Sequence, residues 1–168
     1  VESQDLRTLS ENLNYSVAGL RATFGKHRIT DQQCAALGRT KSRPANQRMI
    51  ANILYGGEWG RENLGNTMPD DGWTFRGQGL KQLTGRRNHE KCAKALGIPM
   101  SQWPAYIQTR EGAARSAGWF WKSHGLDKEA ATPGVADDRK KINGGKLGLE
   151  LVEKRFNALV KELLRRGC

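Results

Sequence analysis

Cysteine is scarce and poorly arranged for cross-linking. Cys34, Cys92 and Cys168 are the only three; their number is odd, their spacing is wide and no Cys-x-x-Cys pair occurs. The pattern argues against a disulfide framework and favours a reducing compartment. Histidine is equally sparse. His27, His89 and His124 form no metal-spaced cluster, so no metal and no cofactor is expected. No apolar run reaches the roughly 18 residues of a membrane span. Acids are few as well, 17 against 28 Lys and Arg, for a net charge of +11. That excess favours a polyanionic partner: nucleic acid, an anionic membrane surface or an anionic cell-wall polymer. Composition does not separate these three. A start methionine is also lacking. Val1 opens the chain without a helix-entry signal, and a missing N-terminal segment is expected.

What is present points to a globular, mostly α chain. Its 168 residues suit one domain, 1–168. Ser16 reads as an N-cap for a helix within 16–25, and Thr30 as the cap of a second helix stopped by Gly38. Pro44 suits the first turn of a third, with Met49, Ile50, Ile53 and Leu54 at helical spacing and Gly56 beyond its end. Further helices are expected over about 87–96, 109–125, 136–146 and 147–166. The last is amphipathic through Leu149, Val152, Phe156, Leu159, Val160, Leu163 and Leu164, and this stripe is expected to pack on the core. Trp119, Phe120 and Trp121 are likewise expected in the core. Residues 56–80 hold seven Gly and one Pro, which argues for a long loop. Trp59, Trp73 and Phe75 within it argue for an ordered, site-building loop rather than disorder.

Two glutamates near the start are candidate chemistry. Glu2 and Glu11 are nine positions apart. On one unbroken helix they would lie on opposite faces, about 13.5 Å apart along the axis. They can share a cleft only if the helix carrying Glu2 ends before Glu11. The stretch DGWTFRGQGLKQLTG combines glycines, aromatics, Gln78, Gln82 and Thr84. Amides and a hydroxyl suit sugar hydroxyl and N-acetyl groups, and flat aromatic faces such as Trp73 suit sugar rings.

Five stretches then occur in order: ESQDLRTLSENLNYS, RPANQRMIANILYGGEWGRENLGNTMPDDGW, FRGQGLKQLTGR, SAGWFW and INGG. Together they make the chain resemble the family 19 glycoside hydrolases, which are chitinase-like, and within them the phage and prophage endolysins. The resemblance covers nearly the whole chain. It implies a mostly α, lysozyme-like or chitinase-like catalytic domain with the Gly/aromatic loop beside its cleft. It implies Glu2 as general acid, Glu11 as general base and Thr84 as the hydroxyl that holds the attacking water. Gln82, Asn88 and Asn143 match sugar-contacting amides, and Trp73, Gln78 and Tyr55 complete the expected substrate-binding set. The chain departs from the family in three places. Val1 stands where His is common, Gln78 stands where Arg is usual, and Arg139 and Lys140 shift the basic residue before INGG. Inverting hydrolysis, as implied, requires room for water and a carboxyl separation of about 6.5–9.5 Å or more. A general acid must keep its proton near neutral pH, which burial or a neighbouring negative charge favours.

The excess of positive charge suits peptidoglycan and the anionic cell envelope better than neutral chitin. The expected partner is therefore the peptidoglycan glycan strand, cut by a monomer that waits in the host bacterial cytoplasm before release to the periplasm and cell wall. A chitinase is the nearer alternative. A nucleic-acid-binding helical module is the more distant one. It rests on charge and on the basic stretch GRTKSRPANQR (38–48), with no recognised nucleic-acid motif beside it.

Overall fold

The structure, a computed structural model, describes residues 8–130, 135–143 and 148–166, without the side chains of residues 129, 130, 139, 141–143 and 163. It is mostly helical, as expected, and among the described residues β-structure is limited to isolated bridges. Two compact units divide the chain, Val1–Phe120 and Trp121–Cys168.

Local capping chemistry sets the first helices. α1 (Val17–Thr23) begins where Ser16 Oγ accepts from Gly19 N at 3.0 Å. α2 (Asp31–Leu37) begins with a full capping box, Thr30 and Gln33 each bonding the other's backbone N–H. α3 (Gln47–Tyr55) starts later than Pro44, because the Asn46 side chain accepts from Met49 N at 3.1 Å and so caps the helix. Residues 56–80 are not one loop. They contain α4 (Gly57–Leu64) and the short α5 (Asp71–Thr74). Glu58 in the first turn and Arg61 in the last suit the dipole of α4. A glycine in α5 permits packing rather than flexibility. A Cβ at Gly72 would lie 2.5 Å from Ala51 O and 2.7 Å from Asn52 Cα, so α5 lies directly on the α3 backbone.

α6 (Arg86–Leu96) stops at Gly97, as expected. α7 (Trp103–Tyr106) was not legible from periodicity, being four residues long. α8 (Arg110–Ser123) starts after Thr109, whose hydroxyl accepts from Gly112 N at 3.0 Å.

The first unit has two apolar centres. Leu13, Leu20, Ile29, Cys34, Ile50 and Leu54 form one, with Trp73 packed against it. Leu83, Cys92, Ala93, Trp103 and Ile107 form the other, with Trp119 and Phe120 partly buried against it. Cys34 and Cys92 are both free and buried, one in each centre. Burial pushes the Cys92 thiol up to about 12, so it is an inert core residue.

The second unit holds α9 (Leu126–Ala130), α10 (Ala136–Asn143) and α11 (Leu149–Arg165). Its amphipathic helix corrects one expectation. Val152 and Val160 are half-buried, but Phe156, Leu159 and Leu164 are exposed, so the whole stripe does not pack on a core. No described helix is long and apolar enough to cross a membrane.

His89 ties the second apolar centre together. Trp103 Nε1 donates to His89 Nδ1 at 2.8 Å, which leaves the ring proton on Nε2, 2.8 Å from the Leu83 carbonyl oxygen. Adding a proton at Nδ1 would set two donors against each other. Burial, opposed only by the Leu83 carbonyl, pushes the imidazole down to about 4 from 6.5. The unfolded chain therefore takes up a proton near pH 6.5 that the folded chain refuses until about pH 4. This contribution is complete above pH 6.5 and is lost as pH falls toward 4. The free energy of urea unfolding should drop by about 3 kcal/mol across that window; a flat profile would contradict the account.

Candidate active site

Two distant segments meet in a backbone ribbon. Glu11 N donates to Gly77 O and Gly79 N donates to Leu9 O, both at 2.8 Å. The 77–79 strip then pairs with Leu83 on its own chain, through Gln78 N to Leu83 O at 3.1 Å and Leu83 N to Gln78 O at 2.8 Å. Residues 8–15 contain no helix. Glu11 thus lies on non-helical chain. Glu2 itself lies outside the described residues.

Gly77 is the hinge of this arrangement. A Cβ there would come within 2.9 Å of Gln82 Oε1 and 3.4 Å of Glu11 Cβ. Any larger residue would therefore drive apart the Glu11 and Gln82 side chains that flank it. The Glu11 carboxylate takes one donor on each oxygen. Tyr55 OH donates to Oε1 at 2.7 Å and Gly77 N donates to Oε2 at 3.2 Å. Burial first, then the negative charge of Glu11 and the hydrogen bond to it, push the Tyr55 phenol above its ordinary range, so it stays protonated and remains a donor.

Arg76 supplies positive charge beside this carboxylate. Its guanidinium stacks 3.7 Å over the Trp73 ring and donates to Trp73 O at 2.8 Å. Burial lowers its proton affinity, and the charge of Glu11 opposes that effect. Stacking on Trp73 also removes one face of that ring from any ligand.

Gln82 sits at φ 57°, the left-handed region that a glutamine rarely adopts. Its Nε2 donates to Gly79 O at 2.9 Å, which closes the turn and points Oε1 toward Gly77. Thr84 Oγ1 donates to Gln82 O at 3.0 Å, and Asn88 Nδ2 donates to Thr84 O at 2.9 Å. Glu11, Gln82, Thr84 and Asn88 are thus joined through one turn. Gln78 is a correction. It is only 2% exposed and its Nε2 donates to Thr74 O at 2.8 Å, so it props the turn from inside and does not reach a sugar. Asn143 is the last residue of α10, in the second unit, and its side chain lies outside the described residues. Among the described residues no cluster of three His, Cys, Asp or Glu is placed to hold a metal.

A buried ion pair braces the turn, and sequence reasoning missed it. Asp71 accepts from Arg86 Nη2 at 2.5 Å and Nε at 2.8 Å, and from the Thr67 and Met68 amides at 2.9 Å. Burial alone would raise the Asp71 carboxyl; the Arg86 guanidinium and the two amides outweigh it and hold the group below its ordinary value. Asn66 links the pair to α3, accepting from Arg86 N at 2.8 Å and donating to Tyr55 O at 2.8 Å. In the sequence Asp70-Asp71 falls inside the Gly-rich stretch read as a loop, and nothing local points to an arginine 15 residues on.

No protein-family model matches the chain. A curated protein of Haemophilus influenzae (strain ATCC 51907 / DSM 11121 / KW20 / Rd) named "Glycosyl hydrolase family 19 domain-containing protein" is 32% identical over 160 residues. The match spans 95% of this chain and 73% of that protein.

Asp71→Asn should lower stability by about 3 kcal/mol, the low end for a broken buried pair because Arg86 keeps partial access to water. Chemical denaturation measures this, and a loss below about 1 kcal/mol would show that the pair does not brace the turn.

Proposed function

The chain belongs to glycosyl hydrolase family 19 and is a glycoside hydrolase, and from that premise we propose that it hydrolyses the β-1,4 glycan backbone of bacterial peptidoglycan as a phage or prophage endolysin. The observation that carries the reading is the Glu11 carboxylate, held by the Tyr55 hydroxyl and the Gly77 amide beside the Gln82–Thr84 turn. An ionised carboxylate with one donor on each oxygen keeps lone pairs free for a water. Glu11 is the general base that takes a proton from that water. The water attacks the anomeric carbon, and Glu2 gives its proton to the departing glycosidic oxygen. The result is inversion, with one proton taken up and one released. Thr84 holds the water by its hydroxyl. Gln82 and Asn88 contact the N-acetyl and hydroxyl groups of the sugars, and Trp73 contributes apolar contact.

Charge favours peptidoglycan over chitin. A net charge of +11 draws the enzyme to a polymer bearing lactyl-peptide carboxylates and to the anionic envelope around it. Neutral chitin offers no such attraction. The basic stretch at 38–48 gives weaker support to a nucleic-acid partner. Arg39 donates to Asn14 O, Arg43 to Ala35 O and Gly38 O, and Arg48 is paired with Asp70. Those guanidiniums are engaged inside the chain. We place the enzyme, as a monomer, in the host cytoplasm until lysis releases it to the periplasm and cell wall.

Glu2→Gln and Glu11→Gln should each reduce lysis of permeabilised Gram-negative cells by about 10²-fold or more while the fold persists. Thr84→Ala should reduce it less, because it positions water and transfers no proton. Mass spectrometry of digested peptidoglycan should find a reducing N-acetylmuramic acid end. Peptide cleavage with intact glycan would defeat the proposal, and digestion of chitin oligomers alone would redirect it to a chitinase.

A further inference from the structure

We propose that Tyr55 is a positioning residue for the reaction: its hydroxyl aims and holds the Glu11 carboxylate, and it does not bind sugar. The inference rests on the reading of Glu11 as general base. It starts from a problem of geometry. Glu11 lies on non-helical chain, where no helix restrains its side chain. A base on such a segment needs external donors to fix the plane of its carboxylate. Gly77 N supplies one, but at 3.2 Å it is the longer of the two bonds. Tyr55 OH supplies the other at 2.7 Å, across a separation of 44 residues.

Tyr55 is itself restrained from behind. It is the last residue of α3, and its ring packs against the first apolar centre. Its carbonyl accepts from Asn66 Nδ2 at 2.8 Å. Asn66 in turn accepts from Arg86 N, and Arg86 is locked to buried Asp71. The neighbouring Leu54 carbonyl accepts from the Arg28 guanidinium, which stacks 3.5 Å over Trp59. The phenol is therefore the tip of a braced helix end rather than a mobile surface group. A hydroxyl already committed to Glu11 has no second proton to donate to a sugar.

Among the described residues, the charged and titratable groups that face Glu11 are few. Tyr55 reaches it from α3, Tyr15 from its own segment, and Arg76 from the 75–85 strip, while Arg28 acts on Tyr55 from the α1–α2 connection. Tyr15 and Tyr55 both stay protonated, because burial and the charge of Glu11 work against phenolate. Between them, Tyr55 is the group that gives the carboxylate a hydrogen-bond proton.

The test is Tyr55→Phe in the full chain, beside Glu11→Gln, with initial rates on purified peptidoglycan measured from pH 4 to 9. Phe keeps the ring and its packing, so the melting temperature should stay within a few degrees. Removing the donor should lower kcat by about tenfold or more, with KM changed by less than about twofold. A merely structural residue would lower the melting temperature and the amount of active enzyme, leaving kcat per folded molecule unchanged. A raised KM with unchanged kcat would make Tyr55 a sugar contact and overturn the proposal. Wild-type behaviour of Tyr55→Phe, with Glu11→Gln inactive, would overturn it alone. Wild-type turnover by Glu11→Gln would overturn the base assignment and this inference with it.

Discussion

The site depends on one short pairing of backbone, residues 9–11 against 77–79. Two hydrogen bonds at 2.8 Å bring together segments separated by more than 60 residues. Closing such a loop costs conformational entropy, and two bonds alone would not hold it. The chain just beyond Glu11 supplies the rest. Leu13 is fully buried in the first apolar centre, and its amide donates to Gln47 Oε1 at 2.9 Å. Asn14 accepts from Ala45 N at 3.1 Å, and Tyr15 meets Phe24 edge to face. The amide-rich run after Glu11 is thus an anchor, which lets an acid on irregular backbone serve as part of a defined site.

A chain with so much positive charge uses its few acids selectively. Asp31 with Arg21 and Lys26, and Asp70 with Arg48, are pairs open to solvent and contribute little each. Asp71 with Arg86 is different, because the carboxylate is 4% exposed and every donor around it is placed by backbone or by a bidentate guanidinium. It holds the start of α6 against the start of α5, and through Asn66 it reaches α3. Glu11 belongs to neither class. Among the described residues its hydrogen-bond partners are a phenol and an amide, not a cation in salt-bridge contact.

The reading of the sequence succeeded where structure is local. Ser16 and Thr30 cap their helices because a side chain three residues from an amide needs no distant partner. It failed where the decisive partner is remote. The glycines of 56–80 suggested loop, yet Gly72 exists to let α5 touch the α3 backbone, and α4 forms in the same stretch. Asn46 displaced Pro44 as helix start by a hydrogen bond that composition does not advertise. Gln78, whose amide suits a sugar, is buried, since its neighbours Gly77 and Gly79 pair with Glu11 and Leu9 on one side and its own backbone pairs with Leu83 on the other.

By itself, the sequence determined the helical class, through periodicity and caps. The family and the candidate residues Glu11, Gln82, Thr84 and Asn88 came from a resemblance carried by motifs whose members are neighbours in the chain. Only the tertiary structure decided what the residues do to each other. That Tyr55 donates to Glu11, that Arg76 covers Trp73 and that Asp71 locks Arg86 are contacts between elements. Their distances are set by how α3, α5 and the paired strips pack, and side-chain spacing along a single chain carries no record of that packing.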